Sequence, residues 1–260
     1  KMKKITTILL LICGFTYSQN LTVESGASLT IAKDGSATIS GNLTNNGTVT
    51  MNSDANEFSS LIVSGTATGD ITYNRYVNAE GANGWDLIGS PVEGQSISDF
   101  VTANSGVIAT SGVYSAVGTY DNSDDSWENY GSGSAWESGD FELGTGYQMA
   151  TTAGATMAFT GSVATSDQTQ AVQDYSGASG RIWNLVANPY PSYLNANENA
   201  DDSNNFLTVN GTTTLHDTYV AIYGYDADGT GFTAYGQDFN SNTAKYVAPG
   251  QAFMVAASSS

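Results

Sequence analysis

Leu21-Thr22-Val23, Leu29-Thr30-Ile31 and Ala37-Thr38-Ile39 place apolar pairs eight residues apart, and Val49-Thr50-Met51 and Leu61-Ile62-Val63 continue them at a spacing of twelve. Alternation of this kind turns one side of each strand inward. Between the pairs lie Ser25-Gly26, Asp34-Gly35, Gly41-Asn42 and Asn45-Asn46-Gly47, residues that accept the positive φ of tight corners. Short strands with a turn every eight to twelve residues predict the coils of a parallel β-solenoid over residues 19–70. An antiparallel meander would use the same turns and is the alternative. A coil this short exposes apolar ends, so it is expected to stack on the chain beyond residue 70.

After residue 70 aromatic residues become frequent and the sequence repeats itself. Trp85-Asp86-Leu87-Ile88-Gly89-Ser90-Pro91 returns 98 positions later as Trp183-Asn184-Leu185-Val186-Ala187-Asn188-Pro189. Tyr114-Ser115-Ala116-Val117-Gly118-Thr119-Tyr120-Asp121 returns at an offset of 105 as Tyr219-Val220-Ala221-Ile222-Tyr223-Gly224-Tyr225-Asp226. Leu143-Gly144-Thr145-Gly146 returns at 104 as Val247-Ala248-Pro249-Gly250. Each copy reads as a strand ending at a turn proline, a Tyr-rich hairpin closed by an acidic turn, and a Gly turn opening a final apolar strand. The predicted fold class is therefore all-β: short parallel β-solenoid-like repeats followed by an internally duplicated antiparallel β-sandwich. The duplicated region spans 71–260, with copies at 75–160 and 175–257. A β-propeller competes, but two copies cannot close such a ring. Ser96 to Val101 is the one stretch that reads as a short helical turn.

Composition narrows the function classes. The 260 residues carry 25 Asp+Glu against 7 Lys+Arg, with one Cys and one His. One cysteine makes no disulfide framework, and one Cys with one His makes no Cys/His zinc site. So few cations build no basic nucleic-acid groove. At the N-terminus Lys1, Lys3 and Lys4 precede an apolar run, Ile5 to Phe15, and Thr16-Tyr17-Ser18 places small residues around a cut after Ser18. This is the layout of a secretory signal peptide over 1–18, too short in its apolar part to span a bilayer. A buried N-terminal element is the alternative, and Ile12 before Cys13 disfavours a lipoprotein. Cleavage would remove the only thiol, which suits an exported protein without disulfides. The expected location is extracellular or at the outer-membrane surface, with no membrane span. A lysine ahead of Met2 and an end at Ser258-Ser259-Ser260 point to an open-reading-frame fragment.

Trp183-Asn184-Leu185-Val186-Ala187-Asn188-Pro189-Tyr190-Pro191-Ser192 resembles the Trp-Asn-Leu-Ile-Gly-Asn-Pro-Tyr-Pro-Ser signature of large secreted and cell-surface proteins of Bacteroidetes. Arg75-Tyr76 followed by Trp85 to Val92 looks like its upstream companion, and Pro249-Gly250-Gln251-Ala252-Phe253 resembles the closing strand of the same module. The resemblance implies export by signal peptide and the type IX route, so secretion machinery is an implied partner. It also implies surface display or release. Such proteins carry a C-terminal sorting domain, which this chain does not show. The resemblance supplies no catalytic residue.

Individual residues offer little reactive chemistry. His216 is the only histidine for any Ser-His-Asp triad, there is no Gly-x-Ser-x-Gly elbow, and the bland reading is a loop histidine. Paired carboxylates for glycoside hydrolysis have no distinctive spacing. Asp226 and Asp228, in Asp226-Ala227-Asp228-Gly229, resemble the start of a calcium loop, but the twelfth position is Gln237, and Asp-Gly is equally a hairpin turn. Calcium is thus the only cofactor the chain suggests. Trp127, Tyr130 and Trp136 flank a Gly/Ser stretch and would stack on sugars if exposed, whereas Trp85 and Trp183 read as core. The leading expectation is a non-catalytic secreted or cell-surface structural and adhesion module that meets an extracellular glycan or protein. A carbohydrate-binding module of a secreted polysaccharide-degrading or adhesive protein is the first alternative, and a glycoside hydrolase-type enzyme the second.

Overall fold

The computed structural model describes residues 19–81, 85–131, 139–175, 181–226, 231–236 and 243–258. These residues form short strands and two short helices.

The chain first winds as a three-sided coil. Strands β1 (Leu21–Val23), β2 (Ser28–Ile31) and β3 (Ser36–Ile39) make one turn. The next is β4 (Leu43–Asn45), β5 (Thr48–Asn52) and β6 (Ser60–Val63), and β7 (Ala67–Thr68) and β8 (Ile71–Val77) come after it. Corresponding strands pair in parallel: Leu21 with Leu43 and Leu43 with Ala67, Leu29 with Val49 and Thr50 with Thr72, Ala37 with Leu61. The eight-residue spacing in the sequence is thus the step between sides, and a full turn takes about 22 residues. Alternate residues, Ile31, Ile39, Leu43, Val49, Met51, Leu61 and Val63, are buried inside.

One corner shows how consecutive turns are tied. The Asn42 amide donates to Asn20 Oδ1 at 2.8 Å, and Asn42 Oδ1 in turn accepts from the Thr66 amide at 2.9 Å. Each corner asparagine therefore satisfies a backbone donor of the next turn, a contribution of about 1 kcal/mol. Glycine precedes each receiving position because a Cβ on Gly65 would collide with Asn42 Oδ1.

The duplicated region then adds β9 (Asp86–Ile88), α1 (Ile97–Ala103), β10 (Thr110–Ser111), β11 (Tyr114–Asp121), β12 (Ser126–Gly131) and β13 (Tyr147–Met149). Next, β14 (Ala155–Gly161) returns to pair antiparallel along the whole of β8. The coil and the first copy therefore share a sheet. The second copy comprises β15 (Trp183–Ala187), β16 (Leu194–Asn195), α2 (Phe206–Thr214), β17 (Ile222–Asp226), β18 (Gly231–Tyr235), β19 (Tyr246–Val247) and β20 (Ala252–Ala256).

The copies match in topology. The first runs β9-β13-β11-β12 and the second β15-β20-β17-β18, all antiparallel. Register matches as well: Leu87 faces Gln148 where Leu185 faces Met254, and Asp121 faces Ser126 where Asp226 faces Gly231, which sets the third block at an offset of 106, Gly144 with Gly250, rather than the 104 read from the sequence. Both helices come after the first strand and start on the same device. Ser96 Oγ accepts from the Asp99 amide, and Asn205 Oδ1 from the Thr208 amide. Only α1 has a sequence signal, because α2 is rich in Thr and carries Gly211 at φ 44°.

A single hydrophobic core extends from Val23 in the coil to Val163 after the first copy. At its centre Phe100, Phe141 and Tyr147 meet edge to face at 5.0–5.1 Å, with Phe159 4.5 Å from Phe100. The second copy has its own core of Val186, Leu207, Leu215, Ile222, Phe253 and Val255. A smaller cluster, Leu185, Ala187, Ala252 and Met254 with Leu87, Tyr120, Trp183 and Tyr223, lies where the copies meet.

Candidate functional site: an aromatic cleft on the seam of the two copies

The copies meet by exchanging the same hydrogen bond. Gly89 N–H donates to the Gly250 carbonyl at 2.9 Å, and Ala187 N–H, at the equivalent position, donates to the Gly144 carbonyl at 2.7 Å. The antiparallel bridges Ile88–Gln251 and Thr145–Val186 repeat the exchange one residue away. Reciprocity of this kind is the mark of a two-fold relation, here within one chain. Close approach requires the glycines: a Cβ on Gly89 would overlap that of Ala187, and one on Gly146 would lie 2.8 Å from the Ala252 Cβ.

A cleft of about 550 Å³ opens along this seam, within the usual range for small-molecule sites. Equivalent positions of the two copies line it: Trp85 and Trp183, Tyr120 and Tyr225, Trp127 and Phe232, Gln148 and Met254. Leu87, Tyr223 and Asp125 complete the described lining. The hairpins set the rings in pairs. Tyr120 and Trp127 are cross-strand partners with centroids 5.2 Å apart, and Tyr225 and Phe232 repeat the pair at 5.3 Å. Trp183 meets Tyr223 edge to face at 4.7 Å. Trp127 and Phe232 remain 38% and 49% exposed, so each presents ring surface to solvent rather than to a core.

The two halves differ at one row of the sheets. In the first copy Gly118 has no side chain, and Gln148 Nε2 donates across it to Asn129 Oδ1 at 2.9 Å. In the second copy Tyr223 stands at the Gly118 position and Met254 at the Gln148 position. At this row the first half is therefore amide-lined, and the second carries a thioether beside a phenol. Asp125, the carboxylate of the described lining, accepts from Tyr120 OH at 2.6 Å and sits at φ 60°, as the hairpin turn requires. Burial and that bond raise the Tyr120 pKa, and burial raises that of Tyr223, so both phenols are neutral donors near neutral pH.

A second pocket of about 120 Å³ shares Leu87 and Tyr225 with the cleft and contains Arg75, Asn78, Asp86 and Gln251. Its chemistry holds the parts of the molecule together. Buried Arg75 donates to the Pro249 carbonyl at 3.1 Å and the Tyr76 carbonyl at 2.8 Å, and its guanidinium lies 4.1 Å from the Phe58 ring centroid. Burial lowers the Arg75 pKa to about 10. Burial also raises that of Asp86, which outweighs its bonds from the Asn78 amide and side chain.

Of the aromatic residues singled out in the sequence, Trp127 lines the cleft. Tyr130 packs instead against the shared core, and Trp136 lies outside the described residues. Trp85 and Trp183 are half-buried: each lines the cleft on one side and packs on the other, Trp85 against the shared core and Trp183 against the seam cluster. Asp226 closes β17 opposite Gly231; its side chain and the whole of Asp228 lie outside the described residues. In the matching first-copy turn each acid has a local donor: Asp121 from the Ser123 amide, Asp124 from Ser126 Oγ and Asp125 from Tyr120. Among the described residues no group of three or more His, Cys, Asp or Glu is placed to hold a metal. His216 Nδ1 accepts from the Thr218 amide at 3.2 Å, and its ring packs beside Tyr219.

The family model of a domain of unknown function, DUF8693, matches residues 6–260. The chain belongs to that family. No curated protein and no solved structure matches it. The DUF8693 match spans the coil and both copies, so the seam cleft lies inside the family's domain. Among the described residues no helix is long and apolar enough to cross a membrane.

Proposed function

We propose that this protein is a non-catalytic, secreted or cell-surface adhesion module that uses the seam cleft as its binding site. The observation that carries this reading is the lining itself: rings at equivalent positions of two copies face one cavity, and two of them keep exposed faces. A large ring area held on paired strands binds a ligand at little cost in ordering. The one described carboxylate there, Asp125, is occupied by Tyr120, an arrangement suited to holding the turn rather than moving protons. The targeting layout of residues 1–18 and the Bacteroidetes surface-protein signature support export to the cell surface.

The test uses a neutral aromatic probe, N-phenylnaphthylamine, whose emission rises on entering an apolar site. Wild-type protein is expected to bind it, with energy transfer from tryptophan, and Trp127→Ala and Phe232→Ala are each expected to weaken binding. Both side chains are exposed enough for truncation to leave the fold intact. Unchanged binding in both variants would remove the cleft from the account. Antibody labelling of intact source cells is expected to be positive and to be lost on protease shaving; signal confined to lysed cells would overturn the location.

A further inference from the structure

The two-fold character of the cleft constrains what it binds. Successive rings of a β-1,4-linked polysaccharide are turned over by about half a turn, so a chain of this kind carries its own local two-fold screw. The cleft offers equivalent rings from two copies related by a reciprocal exchange of hydrogen bonds. We infer that the seam cleft binds a neutral β-1,4-linked glycan, with two neighbouring sugar rings on the two halves. This rests on the cleft being the binding site, and adds the ligand class.

Three observations carry it. Aromatic faces pack against the C–H faces of pyranose rings, and Trp127 and Phe232 expose such faces at equivalent positions. A saccharide also needs polar contacts, which Gln148 supplies in the first half while the phenol of Tyr223 takes the facing position in the second. Charge selects a neutral chain. The sole ionisable residue of the described lining other than the tyrosines is a carboxylate, Asp125, and the chain carries a net charge of −18, so anionic glycans are repelled. The unequal halves further give the site a direction: a hydroxyl-rich edge over Gln148 and a C–H face over Met254 and Phe232.

Isothermal titration with cellohexaose, mannohexaose, xylohexaose, maltohexaose and hexagalacturonate tests the inference on the full chain. At least one β-1,4-linked neutral hexaose is expected to bind at least tenfold more tightly than α-linked maltohexaose, and hexagalacturonate is expected not to bind. Trp127→Ala and Phe232→Ala are each expected to weaken that binding tenfold or more, and Gln148→Leu is expected to weaken it severalfold. Equal binding of maltohexaose, preference for hexagalacturonate, or variants that bind as wild type would overturn the inference. Binding of N-phenylnaphthylamine with no hexaose bound would overturn the glycan class alone and leave the cleft as the site.

Discussion

The two copies share strand order, hairpin register and helix cap, yet they are held in different ways. The first is continuous with the coil: β14 pairs along β8, and one core runs through both. The second keeps a separate core and touches the rest through the seam, the Leu61–Pro191 backbone bond, Arg75, and side-chain bonds such as Asn122 to Asn184, Arg181 to Ser123 and Tyr193 to Phe58. One copy is part of the scaffold, and the other is a separate unit clamped against it. A cleft between such unequal halves gains shape from the scaffold side and tolerance from the other.

The largest effects come from the two cores. Phe159→Ala empties a fully buried position and is expected to cost about 3–5 kcal/mol. Phe253→Ala removes a ring of similar burial that packs edge to face on Phe206, with a similar local cost. Hydrogen exchange separates them. Phe159→Ala is expected to speed exchange in β2, β5 and β8 as well as in the first copy, and Phe253→Ala only in the second. Identical exchange patterns would merge the two units.

The seam comes next. Gly89→Ala places a methyl on that of Ala187 and is expected to cost about 3 kcal/mol in thermal or urea unfolding. Adding Ala187→Gly removes the methyl contact and should restore part of the loss, the remainder coming from the 2.8 Å approach to the Thr145 carbonyl. A double variant as unstable as the single one would argue against the Ala187 contact as the main source of the loss.

Smaller differences sit in the strand-ending turns. Asn188 is buried and donates to the carbonyls of Ser192, Val247 and Ala248, while its counterpart Ser90, among the described residues, bonds within its own turn, to Val92. Asn188→Ser, which copies the first repeat into the second, is expected to cost about 2 kcal/mol by stranding those acceptors. Four residues earlier, Asp86 stands where the second copy has Asn184. The raised Asp86 pKa means the folded state holds this proton more tightly than the unfolded chain, so this group's contribution is greatest below the ordinary value of 3.8. It is lost as pH rises through the folded value. Asp86→Asn is expected to remove that slope from a plot of melting temperature against pH.

The smallest effect belongs to the coil surface. Lys33 binds Asp54 and Glu57, and its bond holds Asp54 at about 2. A depressed carboxylate contributes above 3.8 and loses that contribution as pH falls toward 2. Lys33→Ala should leave melting at pH 7 nearly unchanged and flatten the acid limb slightly, since the pair is exposed.

Much of the fold is legible in the sequence because its signals are local or strictly repeated. Nearly constant offsets point to the main strands of both copies, although the Gly-turn block aligns at 106 rather than 104, and the apolar pairs mark β1, β2, β3, β5 and β6 of the coil but not β4 and β7. The length of a coil turn was hidden, since Thr, Ser, Asn and Gly recur at every corner and nothing local says that Leu21 pairs with Leu43. Helix α2 was hidden by poor helix formers, although its Asn205 cap repeats Ser96. The site was only partly legible. Trp127 stood out beside its Gly/Ser stretch, but Trp85 and Trp183 look like core residues until two sheets are set face to face. That juxtaposition depends on Gly89 meeting Ala187 from almost a hundred residues away, and no local pattern records it.

The central claim is that two copies build one site. Indole N–H resonances of Trp85 and Trp127 from the first copy and Trp183 from the second, followed by NMR while N-phenylnaphthylamine is added, test it most directly. All three are expected to shift together along one binding curve. Separate curves for the two copies, or shifts confined to one copy, would contradict it.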